Sequence, residues 1–291
     1  MSPVSAPETA PLPQIDAPQV VSVVIGFIQR QLEQTGFQRL VVGVSGGVDS
    51  ATVAHLAVQS VGADNVLGVL MPFRTSAPES ETDALRVIDG LGCDSQRVDI
   101  TPMAEPMLTL IGDGEEADVR IRRGNVLARL RMIVLYDRSA AFDALVCGTS
   151  NKTEALLGYG TLHGDMAAAI QPIGDLYKSQ LRAVATELGV PQDIIAKPSS
   201  ADLWPGQTDE DELGATYYDL DRILYALVDR RWTVERCVRA GLDEALVRWT
   251  AERVARSEFK RQAPPVAKIS LRTPGIDHLY PRRRPGSRRR A

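Results

Sequence analysis

The chain has little of the side chains that staple, ligate and stack: three cysteines and three histidines in 291 residues, with aromatics at 5%. Cys93, Cys147 and Cys237 are odd in number, widely spaced and form no C-x-x-C pair. That speaks against a disulfide framework or a structural zinc site and fits a reducing, cytoplasmic setting. With only His55, His163 and His278 as imidazoles, a Ser-His-Asp hydrolase gains no support. No run approaches the roughly 18 uninterrupted apolar residues of a membrane span. The opening MSPVSAPETAPLPQIDAPQ has neither a basic n-region nor an apolar h-region, so no export signal is expected. The Walker A pattern G-x-x-x-x-G-K-[ST] is missing as well.

What is present points to a globular protein. A hydrophobic content of 44% supports a large core. The net charge of −4 hides an arginine cluster, Arg282, Arg283, Arg284, Arg288, Arg289 and Arg290. The rest of the chain is therefore clearly acidic, and no specific nucleic-acid partner is expected. Residues 1–17 are rich in Pro, Ala and Ser and read as a disordered leader. A main domain is expected over 18–265, and residues 266–291 read as an extension ending in a solvated basic tail.

Within the main domain, Val20, Val21, Val24, Ile25, Ile28 and Leu32 recur at helical spacing. Short β-rich runs lie near 40–44, 65–71, 96–100 and 144–148, with helical patterns near 50–61, 79–91 and 120–141. Alternation of this kind predicts an α/β fold, a parallel, helix-flanked, Rossmann-like nucleotide-binding sheet. From 175 onward the pattern is helical, near 175–188, 211–229, 233–239 and 243–257. Between these, Lys197 to Asp211 is too rich in Pro, Gly and acid for a helix and reads as a long loop, expected to order over bound ATP.

The most informative segment is GVSGGVDS, residues 43–50, directly after the apolar Leu40, Val41 and Val42. A strand that ends in such a loop and opens a helix offers an anion backbone N–H groups, two hydroxyls and a positive helix terminus. Gly46 and Gly47 allow the tight turn and close approach. Asp49 would repel bare phosphate, and its place here makes sense with a divalent cation between them. The pattern resembles the signature of the ATP pyrophosphatases, which split ATP between its α- and β-phosphates.

Three further segments narrow the resemblance: GNVLARLRMIVLY from Gly124 to Tyr136, GTSNKTEALLGYGTLHGD from Gly148 to Asp165, and the run from Pro172 to Tyr217 that includes PIGDLYKSQL and KPSSADLWPGQTDEDELG. SEFKRQAPP, Ser257 to Pro265, is a weaker fourth. Taken singly, Arg129 and Arg131 read as a solvated helix face, and Glu154 and Lys178 as surface charges. Together and in order, the segments resemble the ammonia-dependent NAD synthetases. That resemblance implies adenylation of deamido-NAD by ATP, amidation of the adenylate by ammonia, magnesium as the metal, and a homodimer. It also implies residue roles. Gly43, Val44, Ser45, Gly46, Gly47, Val48, Asp49, Ser50, Thr149, Lys178 and Ser200 would bind ATP, Asp49 and Glu154 would hold Mg2+, and Asp165 and Lys178 would be catalytic.

On the acid-substrate side, the resemblance gives Arg129 and Lys260 as deamido-NAD contacts, with Leu162, Ala169 and Phe259 at positions where the family usually has Lys, Asp and His. The nucleotide half thus matches and the acid half departs. A ligase for a different carboxylate, or a weakened nucleotide-binding regulator, are the alternatives this departure leaves. A tRNA thiolase would bring cysteine pairs, and a GMP or asparagine synthetase a glutaminase segment. Neither is present, which points to free ammonia or ammonia handed over by a separate protein.

Overall fold

The computed structural model describes residues 11–114, 116–200, 206–274 and 276–277. The first ten residues of the expected leader, part of the 197–211 loop and the whole of the basic tail lie outside these. Leu12 packs against the helical C-terminal core, and the Pro13 carbonyl accepts a hydrogen bond from Gln180 Nε2 at 3.0 Å. Helix α1 (Ala17–Thr35) follows, opened by Asp16, which accepts the Gln19 N–H at 3.0 Å, and closed by Gly36 in the left-handed region. It buries Val21, Val24, Ile28 and Leu32, the stripe its spacing predicts.

Strands β1 (Arg39–Gly43), β2 (Val66–Leu70), β3 (Asp94–Arg97) and β4 (Ala144–Cys147) form one parallel sheet in the order β3-β2-β1-β4. β1, β2 and β4 are apolar and buried because helices cover both faces. The polar β3 is the exposed edge. One face carries α1, α2 (Val48–Val61), α3 (Pro78–Leu91) and α7 (Lys178–Glu187), and the other carries α4 (Thr101–Ile111) and α5 (Ala117–Phe142). Between β4 and α7 lies the short α6 (Lys152–Leu157). After α7 come α8 (Gln192–Ala196), α9 (Asp209–Leu213), α10 (Tyr217–Leu224), α11 (Val234–Arg239) and α12 (Glu244–Arg256), the later helices building a second, mostly helical core.

Some elements differ from expectation. α9 starts inside the expected loop, because the Thr208 hydroxyl accepts the Asp211 N–H at 3.3 Å and caps it. The expected 211–229 helix is broken at Gly214, a left-handed cap, and ends in a wider π turn over Tyr225–Asp229. Among the described residues no helix is long and apolar enough to cross a membrane.

Candidate active site

β1 sits between β2 and β4; the chain runs from β1 outward to β2 and β3 on one side and then crosses to β4 on the other, so a crevice opens at the carboxyl ends of β1 and β4. The cleft there holds about 1020 Å³. Its floor is the turn from β1 into α2. The Val44 N–H extends the sheet to the Val69 carbonyl at 3.0 Å, and Gly46 then turns with φ 78°. A Cβ on Gly46 would stand 2.4 Å from the Ser80 carbonyl oxygen, so only glycine lets α3 approach this closely. Ser45 N–H donates to Ser50 Oγ at 3.1 Å, and that hydroxyl donates to the Gly47 carbonyl at 3.0 Å. Gly47, the N-cap of α2, offers no side chain to its first-turn N–H groups, which leaves them open to an anion. Gly43 to Gly47 also spells G-x-S-x-G, the nucleophile elbow. Ser45 Oγ instead lies 3.2 Å from Ser50 Oγ, and among the described residues no histidine lines the cleft.

Asp49, Glu154 and Lys178 converge here from α2, α6 and α7. Lys178, which reads as a surface charge in the sequence, is 1% exposed. Its Nζ bonds to Asp49 Oδ2 and lies 3.4 Å from Glu154 Oε1. Asn151 fixes both acids: its Nδ2 donates to Asp49 Oδ1 at 2.9 Å, while it forms a capping box with Glu154 at 3.0 and 3.3 Å. The Lys178 ammonium lies 5.2 Å from the centre of the Tyr217 ring. Tyr217 donates to buried Asp209 at 2.9 Å, and the Tyr159 hydroxyl sits between Asp209 and Glu212 at 3.1 and 2.9 Å.

Burial works against the Lys178 charge, but the Asp49 and Glu154 carboxylates outweigh it and hold the ammonium protonated. Burial pushes Glu154 above the usual carboxylate range; Lys178 opposes the rise, while Asp49 and Asp209 add to it. Asp209 is also raised, first by burial. Three carboxylates around one ammonium leave an excess of negative charge away from water. Hard oxygens in such excess fit magnesium. Among the described residues no group of three or more His, Cys, Asp or Glu is arranged to hold a metal alone. Asp49 and Glu154 therefore fit as the protein's share of a magnesium site, which would need further oxygen ligands from outside the protein.

The opposite wall is the 158–165 loop. Asp165 Oδ1 accepts the Thr161 N–H at 2.7 Å, and Thr161 Oγ1 donates to Asn125 Oδ1 on α5 at 2.7 Å. Burial of its carboxyl raises Asp165, against the Thr161 hydrogen bond and the Lys260 charge. Lys260 Nζ donates to the Gly158 and Gly160 carbonyls at 2.8 and 2.7 Å, and burial lowers its pKa. Thr149, Ser200, Asp165 and Lys260 all line the cleft with Gly43, Val44, Ser45, Gly47, Val48, Asp49, Ser50, Glu154 and Lys178. Gly46 faces α3 instead.

Arg129, Leu162, Ala169 and Phe259 lie outside the cleft wall. Arg129 donates Nε and Nη2 to the Leu162 carbonyl, each at 3.4 Å, and the Ala169 N–H bonds the Val146 carbonyl at 2.9 Å. Phe259 is 61% exposed. Asn151, Asp209 and Tyr217 also belong to the site, beyond the candidates that the sequence offers. For Asn151 a signal existed in the N-x-x-E spacing of a capping box at 151–154.

The family model described as NAD synthase matches residues 20–264. The NH(3)-dependent NAD(+) synthetase of Chlorobium phaeovibrioides is 49% identical over 263 residues, covering 90% of this chain and 94% of that one. Among solved structures, the NH3-dependent NAD synthetase of Campylobacter jejuni in complex with nitrate is similar at 33% identity and a TM-score of 0.73, covering 87% of this chain and all of that one. The NMN synthetase of Francisella tularensis is similar at 29% identity and a TM-score of 0.75, covering 88% of this chain and all of that one.

Proposed function

The chain belongs to the NAD synthase family and carries out the ATP-dependent amidation of deamido-NAD to NAD with ammonia, and from that premise we propose a division of labour across the cleft. The observation that supports it most is the convergence of Asp49, Glu154 and Lys178 beside the open N–H groups of the 43–50 turn. That turn and the Ser45 and Ser50 hydroxyls cradle the β- and γ-phosphates, with Thr149 and Ser200 at the rim. Asp49 and Glu154 hold magnesium, which when bound supplies positive charge beside the phosphate oxygens.

Adenylation comes first. A carboxylate oxygen of deamido-NAD attacks the α-phosphorus of ATP, the bond to the bridging oxygen breaks, and pyrophosphate leaves with the electron pair. Lys178 exchanges its carboxylate partners for a phosphate oxygen and stabilises the charge that develops there. In the second step Asp165 accepts a proton from ammonium, and the freed lone pair attacks the acyl carbon. Burial makes Asp165 a stronger base than an ordinary carboxylate, which suits this task. AMP leaves with the carbon–oxygen electrons, its phosphate takes the second proton that the new amide nitrogen sheds, and NAD remains.

The acid-substrate residues Arg129, Leu162, Ala169 and Phe259 stand outside one chain's cleft. α4 exposes Met107 and Leu110, and α5, the helix that carries Arg129, exposes Ile133 and Tyr136. We take this apolar surface as the contact of a two-fold homodimer. Ammonia arrives free or from a separate protein.

The two steps can be tested apart. Asp165→Asn should keep exchange of labelled pyrophosphate into ATP in the presence of deamido-NAD but lose NAD formation, whereas Lys178→Ala should lose both. Loss of exchange in Asp165→Asn would assign that residue to the adenylation step and overturn its role with ammonia.

A further inference from the structure

Asp221, on α10, is fully buried and takes no part in the reaction described above. One of its oxygens accepts the Thr153 hydroxyl at 2.5 Å, and the other accepts the Ser179 N–H at 2.8 Å. Thr153 is buried too, and its Oγ1 in turn accepts the Lys178 N–H at 2.9 Å. First-turn N–H groups of a helix lack acceptors within it, and a carboxylate at that end also meets the positive pole of the dipole. Asp221 and Thr153 therefore cap α7 at the turn that carries Lys178, and Thr153 ties the same cap to α6 next to Glu154.

A second contact comes from the same helix. Tyr217 precedes Asp221 by four residues and so shares its face of α10. Its ring lies under the Lys178 ammonium at 5.2 Å. α10 thus holds Lys178 at both ends, by Tyr217 at the charged tip and by Asp221 through the backbone. If packing alone were needed beside Leu220 and Leu224, an apolar residue would serve without the cost of a buried carboxylate. What aspartate adds is two directional acceptors that fix two backbones at once.

We propose that Asp221, acting through Thr153, is a positioning residue that sets Lys178 against Glu154 for adenylation. The inference rests on the roles given to Lys178 and Glu154 above. It is tested by Asp221→Asn, Thr153→Val and Thr153→Ser beside Glu154→Gln and Lys178→Met, each read per folded molecule. The readouts are kcat, ATP affinity with magnesium by calorimetry, and KM for deamido-NAD. Misplacement of a catalytic group by about 1 Å costs on the order of 100-fold. Asp221→Asn and Thr153→Val should therefore lower kcat about 10- to 100-fold and weaken ATP binding about tenfold. KM for deamido-NAD, governed by the 158–165 wall and α5, should stay within about twofold, and Thr153→Ser should restore kcat to within about threefold.

Normal kcat and ATP affinity in folded Asp221→Asn and Thr153→Val, with Glu154→Gln and Lys178→Met inactive, would overturn the inference and leave those roles standing. A loss that Thr153→Ser does not restore, or an equal rise in KM for deamido-NAD, would overturn it as well. Near-normal turnover in Glu154→Gln and Lys178→Met would overturn the roles and the inference together. If Asp221→Asn does not fold, the Thr153 pair decides.

Discussion

Replacing Glu154 by glutamine should make the ligand-free protein more stable at alkaline pH while disabling the enzyme. Burial, with Asp49 and Asp209 adding to it and Lys178 opposing, raises the Glu154 carboxyl from its ordinary 4.5 to about 8. A group raised on folding stabilises the native state fully below its unfolded pKa, and that contribution is lost as pH climbs through the folded one. The native protein therefore loses stability between about pH 4.5 and 8 as an ill-hydrated carboxylate is forced to ionise, and glutamine, which does not titrate, escapes the loss. Each unit of separation is worth ~1.4 kcal/mol. The side chain keeps 18% exposure, and water reaching it returns part of that cost.

We therefore expect the gap between variant and parent to widen by about 1–3 kcal/mol from pH 5 to pH 8. For a chain of this size that is on the order of 2–10 °C in melting temperature. The assay is calorimetric melting at both pH values without magnesium, paired with pyrophosphate release. Adding magnesium and ATP should cancel the parent's handicap, because the ionised carboxylate is the form that holds the metal. A gap that stays constant with pH, or a variant less stable at pH 8, would refute the reasoning.

Asp49→Asn should cut pyrophosphate release by more than about 100-fold with the circular dichroism spectrum unchanged, since several kcal/mol of charge stabilisation are lost while the isosteric amide stays outside the apolar core. Leu162→Lys should lower KM for deamido-NAD by about tenfold or more at similar kcat if the acid side lacks one charge-assisted hydrogen bond. A flat KM would place the limiting contact elsewhere. Sedimentation at micromolar concentration should give twice the 31.6 kDa chain mass, and Ile133→Glu should shift it to monomer. A native monomer would count against the two-fold contact.

What the sequence made legible follows from where burial is two-sided or periodic. β1, β2 and β4 are short apolar runs because both faces are covered, and α1 shows a clean stripe because one face is. The edge strand has no such demand. It is expected at 96–100 and begins at Asp94 with exposed polar residues, although Val98 and Ile100 still donate to the Leu70 and Pro72 carbonyls at 2.8 and 3.0 Å. α4 is hidden by Pro102 and Pro106, which read as breakers; the first falls in the opening turn, where proline has no N–H to lose to the helix. α6, α8 and α9, at five or six residues each, are too short to show a period.

The site divides along the same line. The 43–50 turn is a local device, legible because one loop must supply the glycines, hydroxyls and helix start together. The charges it works with are not local: Lys178 meets Asp49 across 129 positions, and Asp221 meets Thr153 across 68. On their own helices Lys178 and Asp221 look like solvated residues, since local pattern carries no record of which face a distant helix will cover. Their burial follows only when α10 packs against α6 and α7. Burial in turn is what turns an ordinary lysine and three carboxylates into a cluster with too much negative charge for its surroundings. That imbalance, absent from any motif, is the physical reason the cleft favours a cation and a phosphate ligand over water.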